Sequence, residues 1–383
     1  VLVQVSDASR ELTATTWDKW SSLAEYSRRL AGGTTGFEVY NAVSQQEELR
    51  AVGTVELPSG ALLNKSAVNY QGCAAPGAEQ FAFCDMALST EDRVEDLLSR
   101  FTLNEKLGMI SPNPMLGDTC VGSTWNGTSL GNASFLKQVI SYGFLTETNT
   151  DVQASCWKGF DGKDNKCVTN LPGPNCVAST WNRTVWRNKG LVISTEMRAL
   201  RNVGGWRARN SAPMGITGFG PNMNIQRDPR FGRNTELPSE DPFLTGVYAA
   251  EMIGAAVEEE KGVPRMMMYM KHFDAYGVNQ TKPSEFARYN ISIYDFWDSF
   301  LPAFRMGARA GAHGVMCAHI APNGQNSCSN KWLLDLLRSW GPVGDNSVVA
   351  TDCGEIGVMG FPPELAGDCA HATAWMLNNG TDL

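Results

Sequence analysis

Apolar runs in this chain repeatedly end in polar or charged side chains. The stretch Ser347-Val348-Val349-Ala350-Thr351-Asp352-Cys353-Gly354-Glu355-Ile356-Gly357 begins with small and β-branched residues, then meets an acid followed closely by two glycines. Such a run predicts a strand buried on both faces, as in a parallel sheet. Arg265 to Met270 is apolar and ends in Lys271-His272; His313 to Ala318 ends in His319. Gly218 to Ile225 runs into the charged loop Arg227-Asp228-Pro229-Arg230-Phe231-Gly232-Arg233. Read alone, Asp352 is either a carboxylate on a catalytic rim or a cap on the next helix.

Helical spacing fills the intervals. Thr245 to Lys261 carries Val247, Met252, Ile253 and Val257; Ile293 to Arg309 and Asn330 to Trp340 repeat the pattern, the latter through Leu333, Leu334 and Leu337. Strand followed by helix, several times over, predicts βαβ units and a parallel sheet. Polar residues gathered at the strand ends favour closure, so the expected fold is α/β, a (β/α)8 TIM-like barrel with an N-terminal extension and long loop insertions.

Upstream, Ser89-Thr90-Glu91-Asp92 is a capping signal, followed by Val94, Leu97, Leu98 and Phe101 on one helical face. Residues 190 to 205 resume a helical pattern through Leu191, Ile193, Met197 and Leu200. Residues 111 to 180 are rich in Gly, Pro, Asn and Cys and read as surface loops. In the first seventy residues, Trp17, Trp20, Leu23 and Tyr26 would share a face of a short helix that Gly32-Gly33 ends, with no chemistry apparent. The expected division is an extension over 1–80, of unknown role, and one domain over 81–383.

The chain has 383 residues, 43% hydrophobic and 19% charged, enough for a large core. A barrel takes ~250 residues, which leaves room for the extension and insertions. A net charge of -8 and a pI of about 5.2 argue against nucleic acid as a partner, because phosphate binding needs a basic face. No apolar run approaches a membrane span. Ten cysteines and seven Asn-x-Ser/Thr sequons, at Asn64, Asn126, Asn132, Asn182, Asn279, Asn290 and Asn379, point together to the secretory route, with N-glycans at those positions. The chain starts at Val1, which fits a removed signal peptide or a start lying upstream. Neither a CxxC pair nor HExxH occurs, so no metal or cofactor is called for, and structural disulfides are the expected use of Cys156, Cys167 and Cys176.

Several motifs in one order resemble glycoside hydrolase family 3. Arg227-Asp228-Pro229-Arg230-Phe231-Gly232-Arg233 with Glu236-Leu237-Pro238-Ser239-Glu240-Asp241-Pro242 is similar to its RDPRWGR…E-x-P-x-EDP signature. Lys271-His272-Phe273 matches its KHF, Thr351-Asp352-Cys353 its SDC, and Asn378 to Leu383 its N-x-G-T-D-L. Val315-Met316-Cys317 with Asn323-Gly324 and Cys328 looks like the VMCSYN…NG…C stretch of the β-xylosidase branch. Phe83-Cys84-Asp85, Leu103 to Lys106 and Val192 to Glu196 also fall in family order. The likeness runs over roughly 83 to 383, without the first eighty residues or the 111–180 loops.

The resemblance implies an exo-acting, retaining β-glycosidase on an oligo- or polysaccharide, with Asp352 as nucleophile. Lys271, His272 and Arg233 would hold sugar hydroxyls, although Arg227, Arg230 and Arg233 could equally be structural partners of Glu236 and Asp241. Glu147 aligns loosely with a sugar-binding Glu in a family loop whose other residues are not reproduced; an ordinary loop Glu is the alternative. His319 stands where the family has a Tyr that hydrogen-bonds the nucleophile, a change that could alter the pH profile. The resemblance also implies a Cys317–Cys328 disulfide. In this branch the acid/base Glu lies on a second, α/β-sandwich domain absent from these residues, and Glu355 is expected to belong to the loop or helix after Asp352. The single-domain branch with a His/Asp pair is disfavoured, since Lys271 to Gly277 lacks the second His. The competing reading is a carbohydrate-binding or structural glycoprotein that kept the barrel without the chemistry. Xylose or arabinose is favoured by the Cys317 to Cys353 region, with glucose left open.

Overall fold

The apolar runs form strands and lie side by side. In the computed structural model, Tyr142–Gly143 (β1), Thr217–Asn222 (β2), Met267–Phe273 (β3), Gly314–Cys317 (β4) and Val348–Ala350 (β5) pair in that order, all parallel. The structure describes residues 73, 77–103, 106, 169, 171–203, 217–260, 263–277, 290–352, 355 and 369–382, with backbone pairing alone at 124–125, 138–139, 142–143, 156–157 and 166–167. All of these fall within the second of two units, Asn69–Leu383. Glu147, the helix expected around Trp17, and the sequons at Asn64, Asn126, Asn132 and Asn279 lie outside the described residues.

Strand order follows chain order without a reversal, unlike a doubly wound sheet, whose order turns back at a switch point. Among the described residues the sheet has these five strands, short of the eight expected. On β3, Met268, Tyr269, Met270, His272 and Phe273 are all buried, so neighbouring residues on opposite faces are covered, as the apolar run predicts.

A helix stands in each interval. Arg183–Val203 (α2) separates β1 from β2; Pro242–Ala256 (α3), Leu301–Arg309 (α4) and Lys331–Arg338 (α5) fill the next three gaps, and Cys369–Asn378 (α6) follows β5. Thr90–Arg100 (α1) comes earlier. The caps are in the sequence: Ser89 Oγ accepts from Asp92 N–H at 3.0 Å, Asp241 from Leu244 N–H at 2.5 Å ahead of Pro242, and Asn330 from Leu333 N–H at 3.3 Å. Helix α3 ends at Ala256, earlier than expected. The run from Ile293 to Arg309 is helical but includes a π turn over Phe296–Phe300. Helix α3 packs between α2 and α4 and against β2 and β3. The α2–α3 approach depends on Gly190, where a methyl group would run into the Met252 carbonyl.

Helix α1 buries less than its pattern predicts. Leu97 and Phe101 join Ala78, Phe81, Phe83 and Cys84 in a small cluster, whereas Val94 and Leu98 are exposed. That cluster is stapled by a Cys73–Cys84 disulfide, which sequence reading did not find. The Cys317–Cys328 disulfide is present as expected. Cys176 departs from expectation: it sits on the short helix Pro174–Ala178, exposed to solvent, and is a free thiol.

Beyond α6 the chain returns to β5. Asp382 N–H donates to the Val349 carbonyl at 2.9 Å, and its carboxylate accepts from Val349 N–H at 2.8 Å and from Arg338 at 2.9 Å.

Candidate active site

Because the strands are parallel, their carboxyl ends share one rim, and the polar residues that terminate the apolar runs meet there. Asp352 leaves β5 with 15% of its side chain exposed. Its Oδ2 lies 3.4 Å from His319 Nε2, past the end of β4, and 3.7 Å from His272 Nε2, on β3.

Lys271 and Arg233 are held by one carboxylate. Glu236 receives Arg233 through Nε and Nη2, each at 2.6 Å, a bidentate fork. Lys271 Nζ is 3.7 Å from the same Glu236, and Asn222 Nδ2, at the end of β2, donates to it at 3.4 Å. Burial pushes the Glu236 carboxyl up, but Arg233 and Lys271 outweigh it and hold the group below the usual carboxylate range. Burial likewise opposes the Arg233 charge, and the Glu236 bonds reverse that, with Asp352 adding its field. The guanidinium also lies 5.9 Å from the centre of the Tyr276 ring.

His272 is fixed through its backbone. Asn224 clamps it with both ends of its amide: Oδ1 accepts from His272 N–H and Nδ2 donates to the His272 carbonyl, each at 2.9 Å. The residue is 1% exposed, and its Nδ1 has no hydrogen-bond partner. Burial first, then the charges of Arg233, Lys271 and His319, hold its pKa well below the ordinary histidine value. The 3.7 Å approach to Asp352 is therefore made by a neutral ring, not by an ion pair.

His319 has carboxylates on both sides. Its Nε2 faces Asp352, and its Nδ1 is bonded to Glu355 Oε2. The other oxygen of Glu355 accepts from Asn326 Nδ2, and Asn326 Oδ1 accepts from Cys328 N–H at 2.7 Å, next to the disulfide. Glu355 itself is helical, in keeping with expectation, but its side chain is fully buried against the site. A third carboxyl, Asp274, follows β3 and is buried with a single bond from Ala275 N–H, at 2.5 Å; its Oδ2 has no hydrogen-bond partner. Burial, partly offset by that bond, pushes its pKa up to about 7.

Of the expected residues, Asp352, Lys271, His272, Arg233 and His319 come together on one rim. Glu236 was expected only as an arginine partner, and Glu355, Asn224, Asn326 and Tyr276 were not assigned to the site. Two signals pointed toward Glu355: an acid three residues after Asp352, and a His at 319 in need of an acceptor. A cleft of about 540 Å³ opens beside this rim, lined by Arg227, Asp228, Arg230, Ala275, Gly277 and Phe300.

Comparison with known proteins gives a consistent picture. Residues 152–383 match the model of the Glycosyl hydrolase family 3 N terminal domain, starting inside the loop region expected to lack a counterpart. The chain is 30% identical over 312 residues to Beta-xylosidase/alpha-L-arabinofuranosidase 1 of Medicago sativa subsp. varia, covering 79% of this chain and 37% of that protein. It is 28% identical over 322 residues to Exo-1,4-beta-xylosidase bxlB of Emericella nidulans, covering 82% and 39% respectively. The solved structure of a GH3 exo-beta-xylosidase, XlnD, in complex with a xylobiose aziridine activity-based probe superposes with a TM-score of 0.65 at 26% identity, over 82% of this chain and 38% of that one. The chain thus spans less than two fifths of the length of these relatives.

Proposed function

The chain belongs to glycoside hydrolase family 3, and on that premise we propose that it is the barrel portion of a secreted, exo-acting, retaining β-glycosidase of the β-xylosidase or β-glucosidase type. Asp352 supports this reading most directly: a carboxylate at the end of a strand, with two imidazoles within 3.7 Å. In the proposed reaction Asp352 attacks the anomeric carbon, the bond to the leaving oxygen breaks, and a glycosyl ester forms on Asp352. Water then cleaves the ester, returning the carboxylate. Arg233 and Lys271 serve the terminal sugar. Glu236 takes two of the five N–H donors of Arg233, which leaves others for hydroxyl groups. His272, neutral and clamped by Asn224, serves as a hydroxyl partner of fixed orientation.

Leaving-group protonation needs a second carboxyl about 5–5.5 Å from the nucleophile. Glu236 is engaged by Arg233, Lys271 and Asn222, Glu355 by His319 and Asn326, and Asp274, though protonated up to about pH 7, is fully buried out of a leaving group's reach. We therefore assign the general acid to a segment outside these residues, in keeping with the chain's share of its relatives' length. The relatives named as xylosidases favour a pentose. Secretion is supported by the two disulfides and by sequons at exposed Asn182 and Asn290; among the described residues no helix is long and apolar enough to cross a membrane.

The test is hydrolysis of 4-nitrophenyl β-xyloside and β-glucoside by the intact protein. Asp352→Ala should reduce turnover by ~10⁴-fold or more without changing the melting curve. Turnover unaffected by that change removes the nucleophile assignment. The engagement of Glu236 and Glu355 and the burial of Asp274 favour one second reading, a carbohydrate-binding module without chemistry; calorimetric binding of xylo-oligosaccharides with no sugar released would establish it.

A further inference from the structure

We propose that Glu355 is a positioning residue for Asp352, acting through His319. The inference rests on Asp352 being the nucleophile and adds a device that holds it ready.

The argument begins with the burial of Glu355. Its side chain has no exposed surface, and its two oxygens face separate donors, His319 Nδ1 and Asn326 Nδ2. We take Glu355 as the acceptor of both bonds, an arrangement that puts a proton on His319 Nδ1. That fixes what the other nitrogen can do. Nε2 stands 3.4 Å from Asp352 Oδ2, and a bare nitrogen there would set a lone pair against a carboxylate oxygen. The contact is attractive only with a proton between them. Held by His319, the proton leaves Asp352 ionised and able to attack; held by Asp352, it leaves the nucleophile inert. The buried charge of Glu355 favours the first arrangement by stabilising the imidazolium.

The surrounding groups do not substitute for Glu355. From the loop after β2 and the end of β3, Arg233 and Lys271 are paired with Glu236, and His272 is kept neutral by burial. Tyr276 lies against Arg233 and His272. Asp274 titrates near neutrality, so pH profiles should also be taken in an Asp274→Asn background. Glu355→Gln removes the charge and keeps the shape; its one amide oxygen can still accept from His319 Nδ1, while its NH2 is set against Asn326 Nδ2.

The chain contains four histidines, which makes ¹⁵N-histidine labelling of the intact protein tractable. Two-bond ¹H–¹⁵N spectra separate imidazolium from the two neutral tautomers. His319 should hold a proton on Nδ1 throughout and be imidazolium near neutral pH. In Glu355→Gln it should lose the second proton about one pH unit or more lower, and the acid limb of kcat/KM for an aryl β-xyloside should move up as Asp352 loses its imidazolium neighbour. Glu355→Asp should restore part of the shift. Wild-type spectra with a bare Nδ1 overturn the proposal, and so does an unchanged His319 titration in Glu355→Gln. Should Glu355→Gln not fold, the wild-type tautomer still decides. Hydrolysis that survives Asp352→Ala would instead sink the nucleophile assignment, while the spectra still report on the His319–Glu355 pair.

Discussion

Glu236 and Glu355 are both carboxylates drawn out of water at the ends of the strands, yet their partners differ in kind. Glu236, beside β2 and β3, faces a guanidinium and an ammonium. Glu355, beside β4 and β5, faces an imidazole and an amide. The first half of the rim is a cluster of opposite charges that needs no proton to be satisfied. The second half is satisfied only by a correctly placed proton. On the proposed reading, one rim separates holding a neutral, hydroxyl-rich ligand from keeping a nucleophile ionised, and Asp352 sits where the halves meet. Asp274 is a third case, a buried carboxyl given neither cation nor imidazole, and it stays protonated up to about pH 7.

Removing Glu236 should cost the most, because Arg233 and Lys271 would be left without a counter-charge. Glu236→Ala is expected to lose about 3 kcal/mol in urea unfolding. A loss under about 1 kcal/mol would mean that the cluster is loosely held and the contrast overstated. Asp274→Asn tests the third case. The unfolded carboxyl titrates at 3.8 and the folded one at about 7, so below 3.8 both states are protonated and the fold keeps its full stability. As pH rises through the interval the unfolded chain releases its proton first, and stability falls until about 7. The Asn variant should lack this decline and gain on the order of 4 kcal/mol relative to wild type between pH 4 and pH 8. Parallel curves for the two proteins would show that the group is better hydrated than its burial indicates.

Asn326→Ala removes the amide donor to Glu355 and an acceptor for Cys328 N–H, and should cost about 1–2 kcal/mol. The smallest effect is expected from Arg233→Lys, which breaks the fork but keeps the charge. KM should rise about tenfold while both limbs of the pH profile stay in place. A limb that moved would merge the two halves into one titrating network.

The sequence made the frame legible for a simple reason. Strands covered on both faces read as apolar runs, and helices between them read as periodic ones, so β2 to β5 and α3 to α5 could be placed from local pattern. Asp352, Lys271 and His319 were legible because each ends such a run. Side-chain direction after the strand was not. Glu355 is turned inward by partners no local pattern reveals, His319 and Asn326, 36 and 29 residues away. The Asn224 clamp spans 48 residues in the same way. Cysteine counting could not tell that Cys73 pairs with Cys84 while Cys176 stays free, because spacing carries no information about which thiols face each other. The exposed Val94 and Leu98 show the converse, an apolar stripe wider than the surface it covers.

Asp382 has a consequence for how firmly the rim is held. Its grip on both backbone groups of Val349 makes the tail after α6 the anchorage of the strand that aims Asp352. Asp382→Ala would leave every group of the rim in the chain, yet let that strand drift. A break at this tether, far from the reacting atoms, would weaken the proposed chemistry without altering any group that performs it.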